Sequence, residues 1–137
     1  METLVDSNVI LDVCTKDPTW LDWSSASIAE CAEQGALVVN PIIYAEVSVG
    51  FQKIEELEDA LRADLFRRDP LPWEAAFLAG KAFFRYRKNA GVRLTPLPDF
   101  YIGAHAAVRG MTLLTRDASR YKTYFPKLAL IAPPQVR

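Results

Sequence analysis

The chain has 137 residues, half of them apolar, which suits a single domain over residues 1–137 with one substantial core. Its 16 basic and 17 acidic residues give a formal net charge of -1, so no global field draws in nucleic acid and any basic contact surface must be local. No apolar run approaches the roughly 18 residues of a membrane span, and two cysteines in apolar helical patterns without a signal segment favour a reduced, cytoplasmic setting.

Short apolar runs alternate with helical patterns along the chain. The runs predict strands at residues 3–5, 36–39, 111–115 and 128–133. The helical patterns lie at residues 7–14, 20–34, 41–51, 53–69, 73–89 and 99–109. Because buried strands separated by helices are typical of parallel sheets, the sequence predicts an α/β, three-layer fold. We expect a central parallel sheet of four or five strands, covered by helices on both faces.

Two of these helical segments carry large apolar residues, for which the sequence predicts an environment. Residues 53–69 are interpreted as one charged amphipathic helix, whose apolar stripe is Ile54, Leu57, Leu61 and Leu65. The next segment carries the aromatic residues Trp73, Phe77, Phe83 and Phe84. These aromatics exceed what one helix stripe can bury, so we interpret them as core or subunit interface rather than as a platform for nucleic-acid bases.

Four acidic residues are predicted to converge on one edge of the sheet. Asp6 and Asp117 each follow directly after a strand, Asp99 begins the helix that precedes the Asp117 strand, and Glu46 lies about one turn into another helix. Unpaired, such carboxylates would repel one another, whereas a hard divalent cation would bind them. No matching cluster of lysine or arginine stands alongside in the sequence, so the pattern predicts a magnesium or manganese site. Asp6 taken alone is also a good helix N-cap.

The segments around these residues resemble those of a known family. LVDSNVILD contains Asp6, NPIIYAEV contains Glu46, PLPDFYIGAHA contains Asp99 and LLTRDASRY contains Asp117. Nearly end to end, the chain resembles the PIN-domain ribonucleases, most closely the VapC-type toxins of toxin–antitoxin pairs. The resemblance implies a PIN-like fold in which these four acidic residues are catalytic and bind Mg²⁺, with Mn²⁺ as a substitute, while Ser7 and Thr115 give polar support.

The same resemblance implies an activity and partners. The expected reaction is hydrolysis of an RNA phosphodiester by a metal-activated water, since no side chain suggests itself as a nucleophile. The expected partners are the RNA substrate, a small VapB-like antitoxin and a second copy of the chain in a homodimer, with no membrane involved. Transfer RNA, ribosomal RNA and messenger RNA are all open as substrates.

Five basic residues and the single histidine are further candidates for functional roles. Candidates for contact with RNA phosphate are Arg85, Arg87, Lys88, Arg93 and Arg116. The first four can equally be a solvated helix end, and Arg116 can instead orient a carboxylate. His105 lies six residues past Asp99 on the same predicted helix, which favours packing or solvent exposure over a metal-ligand role.

Other functions remain open at this level. A housekeeping PIN-domain nuclease without an antitoxin would share every motif above. A non-catalytic PIN-like binding module would be suggested by a missing carboxylate, and none is missing. A response-regulator receiver would need a paired acidic motif after the first strand, which the sequence lacks.

Overall fold

The computed structural model describes residues 1–89, 91–92 and 97–134. The strands, numbered in chain order, are β1 (Thr3–Val5), β2 (Leu37–Val39), β3 (Phe66–Arg68), β4 (Thr112–Leu114) and β5 (Leu130–Ile131). The helices are α1 (Ser7–Cys14), α2 (Leu21–Gln34), α3 (Pro41–Ser48), α4 (Ile54–Ala60), α5 (Trp73–Lys88), α6 (Pro98–Arg109) and α7 (Ser119–Tyr124). Every strand pairs parallel with its neighbours, in the order β3-β2-β1-β4-β5. The α/β prediction with a parallel central sheet is confirmed, with five strands.

The first strand of the chain lies at the centre of the sheet. β1 pairs with β2 on one side and with β4 on the other, and all three of its residues are fully buried. The chain therefore runs outward from β1 to β3 and then returns to place β4 on the other flank of β1. In open parallel sheets this change of direction leaves a crevice at the carboxyl ends of the two strands involved. That crevice lies where Asp6 and Thr115 leave β1 and β4.

The interpretation of residues 53–69 as one helix is wrong in its second half. The helix ends at Ala60, and the chain then turns into β3, the edge strand beside β2. Leu57 and Leu61 are buried as predicted, but Ile54 and Leu65 are 63% and 58% exposed. The sequence pattern did not reveal β3 because an edge strand often carries charged residues. Arg67 and Arg68 are exposed and form ion pairs, and only the first residue of the strand is buried.

The longest described helix, α5, packs on α6 through small side chains. Its buried residues are Ala75, Ala79 and Ala82, which allow the two helix backbones to approach closely. Two of its large aromatics point outward, with Trp73 89% and Phe77 69% exposed. These two rings are therefore not core residues, whereas Phe83 packs against the core. Neither α5 nor any other described helix is long and apolar enough to cross a membrane.

A glycine sets the distance between α6 and the chain segment that follows β4. A Cβ built on Gly103 would lie 2.6 Å from the Phe125 ring and 3.1 Å from the Tyr121 ring, closer than a side chain tolerates. The absence of a side chain at Gly103 thus lets both rings pack directly on the α6 backbone. This contact fixes the position of Tyr121, which reaches the carboxyl edge of the sheet.

Candidate active site

Asp6 sits in a cradle of hydrogen-bond donors at the carboxyl end of β1. Its side chain is almost completely buried, and its Oδ1 accepts a hydrogen bond from the Ser7 amide at 2.8 Å. Its Oδ2 accepts hydrogen bonds from the Thr115 hydroxyl and from the Tyr121 phenol, each at 2.9 Å. Asp6 therefore does cap α1, as its residue type allows, and it also joins three separate elements of the fold.

Glu46 reaches the same place from α3. The helix begins at a capped terminus, where Asn40 accepts a hydrogen bond from the Ile43 amide at 2.8 Å and Pro41 occupies the first turn. Glu46 lies in the second turn and is half-buried. The Ser7 hydroxyl donates to Glu46 Oε1 at 2.9 Å and lies 3.4 Å from Asp6 Oδ1. Ser7 thus links the two carboxylates, in keeping with its predicted supporting role.

The electrostatics of these carboxylates show mutual repulsion. Burial raises the pKa of Asp6, hydrogen bonds from Tyr121 and Thr115 oppose the rise, and the charge of Asp99 adds to it. Burial also raises the pKa of Glu46, with the Ser7 hydrogen bond opposing and the charges of Asp6 and Asp99 adding to it. Burial is thus the main reason why the ionised forms of Asp6 and Glu46 are disfavoured, and the negative charge of Asp99 adds to the effect at both. A cation placed among them would remove that penalty.

Asp99 has a cation partner that the sequence analysis did not anticipate. It lies in the first turn of α6, and the Arg120 guanidinium of α7 donates to its Oδ2 at 3.1 Å. The sequence has no cluster of basic residues alongside the carboxylates, but this single arginine contacts one of them. The sequence analysis missed Arg120 because the sequence does not show in which direction α7 runs, and hence which residues its side chains contact.

Asp117 shares a cavity with Asp99 but lies at its exposed rim. The cavity has a volume of about 320 Å³, and its lining includes Asp99, Asp117 and Arg120. The Asp117 carboxylate accepts hydrogen bonds from the Ser119 amide at 3.3 Å and the Ser119 hydroxyl at 2.9 Å, which hold it at the start of α7. Asp117 is thus near Asp99, while Asp6 and Glu46 form the buried end of the acidic group.

The residues present fit a hard divalent cation in charge and in donor chemistry. Carboxylate and hydroxyl oxygens are the ligands that Mg²⁺ and Mn²⁺ prefer, and the repulsion among Asp6, Glu46 and Asp99 favours a cation. Within residues 1–89, 91–92 and 97–134, however, no three acidic, histidine or cysteine side chains yet surround a common point. Asp99 Oδ2 is paired with Arg120 in this arrangement, so a metal that bound this oxygen would compete with the guanidinium for it.

Two buried side chains support Asp6, and only one was predicted. Thr115 is fully buried, and its hydroxyl bonds Asp6 while accepting from the Asp117 amide at 3.2 Å. Tyr121 is 1% exposed, and burial raises its pKa well above the ordinary value, so its phenol stays a donor to Asp6. The available signal for Tyr121 was its position four residues after Asp117, one helical turn further on.

The predicted basic candidates have other partners. Arg116 forms a two-pronged ion pair with Asp12, at 2.9 and 3.1 Å, and so orients a carboxylate rather than offering itself to phosphate. Asp12 is 3% exposed and also accepts a hydrogen bond from the Ser24 hydroxyl at 2.8 Å. The sequence analysis missed it because nothing in the sequence distinguishes it from an ordinary acidic residue on a helix face. Arg93 lies outside the described residues.

The three remaining candidates lie on α5. Arg85 donates to the Tyr124 carbonyl at 2.7 Å, while Arg87 and Lys88 lie over aromatic rings of their own helix at 5.9 and 5.0 Å. None of the three lines the cavity that holds Asp99 and Asp117.

His105 is a packing residue, which is one of the two environments predicted for it. It is fully buried, with its Nδ1 2.9 Å from the Asn40 amide nitrogen and its Nε2 2.8 Å from Asp69 Oδ2. Because the Asn40 oxygen is engaged by the α3 cap, its amide group donates to Nδ1 and the Nε2 proton is donated to Asp69. The three side chains tie the ends of β2 and β3 to α6.

Comparison with known proteins extends these observations. A sequence model described as "PIN domain" matches residues 3–126. A search of curated proteins found no match. Three solved structures similar to the chain are VapBC2 from Rickettsia felis bound to a promoter DNA fragment, VapBC-1 from nontypeable Haemophilus influenzae, and a toxin–antitoxin complex from Klebsiella pneumoniae.

The similarity to these structures covers nearly the full length of both chains. For the Rickettsia chain the TM-score is 0.75 at 19% identity, covering 98% of this chain and 100% of the other. For the Haemophilus chain the values are 0.71 and 21%, covering 96% and 98%. For the Klebsiella chain they are 0.67 and 19%, covering 98% and 99%. At these identities the likeness establishes a shared fold.

Proposed function

This chain belongs to the PIN domain family, and from that premise we propose that it is a Mg²⁺-dependent endoribonuclease that acts as the toxin of a toxin–antitoxin pair. The observation that carries the proposal is the group of three carboxylates, Asp6, Glu46 and Asp99, at the crevice between β1 and β4, held there by separate elements of the fold. Such a group is not expected without a use, because burial and neighbouring charge disfavour ionised Asp6 and Glu46 in the folded protein. The family and the toxin–antitoxin neighbours support the nuclease reading of this group.

In this proposal the catalytic residues and metal ligands are Asp6, Glu46, Asp99 and Asp117. A bound Mg²⁺ or Mn²⁺ supplies Lewis-acid polarisation of a phosphoryl oxygen and a more acidic water. The protein's own groups fix the geometry, with Ser7 between two carboxylates and the hydroxyls of Thr115 and Tyr121 on Asp6. Orientation of this kind keeps a reacting group in place without reorganisation during the reaction.

The first test of the proposal is metal dependence. Protein stripped with EDTA should lose its RNA-cleaving activity, and Mg²⁺ or Mn²⁺ should restore it while Ca²⁺ restores it poorly, because Ca²⁺ accepts looser geometry. Cleavage of a labelled single-stranded RNA measures the effect, with a DNA strand of the same sequence as the substrate control. Full activity in excess EDTA would contradict the mechanism.

The proposed antitoxin is a small VapB-like protein. An inhibitor of clustered carboxylates is expected to place an arginine or lysine there, with an apolar segment docking on exposed parts of the helices within residues 20–34 and 41–66. A cavity of about 260 Å³ supports that position, because Tyr44, Phe51 and Ile54 line it between α3 and α4. Co-expression with the upstream reading frame, in the cytoplasm where we place this system, tests the complex.

We also propose that the chain forms a homodimer through the outer face of α5. Trp73, Phe77 and Phe84 are 89%, 69% and 58% exposed and recur on one helix face, which is unusual for a surface without a partner. Phe77→Asp should shift the mass measured by light scattering from a dimer to the 15.4 kDa monomer. Leu65→Asp, at an equally exposed apolar position away from α5, is the control and should leave the dimer intact. A wild-type monomer would contradict the proposal.

Two alternatives differ in what these experiments would show. A housekeeping PIN nuclease would cleave RNA with metal but would be harmless when expressed without a partner. A non-catalytic PIN-like binding module would bind RNA without cleaving it under any metal condition. The presence of all four acidic residues favours an enzyme over the binding module.

A further inference from the structure

Arg120 is a cation built into the acidic group. Its guanidinium donates through Nη1 to Asp99 Oδ2 at 3.1 Å, and its side chain is 41% exposed against 34% for Asp99. Asp99 is also the carboxylate whose charge reaches both Asp6 and Glu46. Arg120 thus pairs with Asp99, the acidic residue whose charge acts on both Asp6 and Glu46.

This ion pair is weak enough to be exchanged. Exposed pairs of lysine or arginine with a carboxylate contribute little to stability, because water and salt screen them. The contact uses one of the five N–H donors that a guanidinium carries. A divalent cation binding several carboxylate oxygens at once would therefore outcompete it.

The released guanidinium would face the path of the substrate. Arg120 lines the same cavity of about 320 Å³ as Asp99 and Asp117, and among the residues that the structure describes it is the one basic residue in that lining. A phosphate entering between two carboxylates is repelled unless a cation accompanies it, and the planar guanidinium fork matches phosphate oxygens.

We propose that Arg120 exchanges partners, serving as the counter-ion of Asp99 in the metal-free protein and as a ligand of the RNA phosphate once a divalent metal has taken Asp99. This inference rests on the proposed metal-dependent nuclease function. It makes metal binding and RNA binding cooperative, because the metal frees the group that RNA needs.

The first arm of the test measures metal binding without RNA. Isothermal titration of the full chain with Mn²⁺ should show that Arg120→Ala binds the metal about three- to fivefold more tightly than wild type, since the competing cation is gone. Lys122→Ala is the matched control, because it removes the same charge from an exposed position on the same helix. It should change the affinity by less than about twofold, since exposed charges are screened over about 8 Å at physiological salt.

The second arm measures binding of a labelled single-stranded RNA by stopped-flow fluorescence anisotropy, read before cleavage begins. With Mn²⁺ present, Arg120→Ala should bind about tenfold more weakly and should lower the slope of log affinity against log salt by about 0.7, the value for one phosphate contact on a single strand. In EDTA the wild type and Arg120→Ala should agree within about twofold, because without the metal the carboxylates repel the phosphate in both proteins.

The outcomes separate this inference from the function it rests on. If wild type binds Mn²⁺ and cleaves RNA while Arg120→Ala has unchanged or weaker Mn²⁺ affinity, the exchange is wrong and the nuclease proposal stands. An equal loss of RNA affinity in Mn²⁺ and in EDTA also overturns the exchange, since it describes a fixed phosphate contact. If neither protein binds Mn²⁺, the metal-dependent function fails and the exchange with it.

Discussion

Asp6→Asn is expected to lower RNA cleavage by at least about 100-fold, the loss that follows removal of a preorganised electrostatic group. The same change should leave the metal-free protein as stable as wild type or more stable. Asparagine can keep the hydrogen bond from the Ser7 amide, and the Thr115 and Tyr121 hydroxyls can turn to accept from its amide group. Cleavage rates and urea unfolding in EDTA measure the two effects.

The pH dependence of stability follows from the raised pKa of Asp6. An acid whose pKa is higher in the folded protein stabilises the fold fully below its unfolded pKa, and that contribution is lost as pH rises through the folded pKa. In EDTA the wild type should therefore lose stability relative to Asp6→Asn as the pH is raised from about 4 toward neutrality. Clear destabilisation of Asp6→Asn with full activity would remove Asp6 from the active site.

Asp12→Asn is expected to show the opposite behaviour, although Asp12 is as deeply buried as Asp6. It should lower the free energy of unfolding by about 2 to 3 kcal/mol, somewhat less than a fully buried pair because Arg116 is about a third exposed. The loss arises because the bidentate pair with Arg116 would be broken and the guanidinium left beside Trp20 without its carboxylate. Urea unfolding measures it, and cleavage per folded molecule should be unchanged.

The two variants control for each other. Both variants replace a buried aspartate by asparagine. Asp6 is the N-cap of α1, and Asp12 lies within the same helix. If Asp12→Asn lost activity at unchanged stability, Asp12 would belong to the catalytic group and the assignment of roles would be reversed. The double variant Asp12→Asn, Arg116→Met should recover part of the lost stability, since it removes the unpaired charge as well.

The sequence was sufficient to place the acidic residues because topology leaves little freedom there. Residues that follow directly after parallel strands must lie at one edge of the sheet, so the proximity of Asp6 to the Asp117 segment followed from strand prediction alone. The helix cap at Asn40 similarly fixed where α3 begins, and hence where Glu46 lies.

The residues that were missed depend on side-chain direction rather than on element order. Tyr121 and Arg120 are neighbours on one short helix, yet one is buried against Asp6 and the other reaches Asp99. No periodicity over six residues distinguishes these directions, which are set by packing of α7 on α6 at Gly103. The edge strand β3 was missed for a different reason, since its charged residues match a solvated helix face equally well.

The central place of β1 has a consequence for the order of events during synthesis. Thr115 and Tyr121, which bond Asp6, lie 109 and 115 residues further along the chain. Translation at about 5 to 20 residues per second puts several seconds between the emergence of Asp6 from the ribosome and that of its partners. Until then β1 lacks a neighbour on one side, and Asp117 cannot be brought to the edge of the sheet where Asp6 lies. Under the proposed nuclease function, a nascent chain would therefore be inactive for most of its synthesis, and activity would begin only with the long-range closure of the sheet.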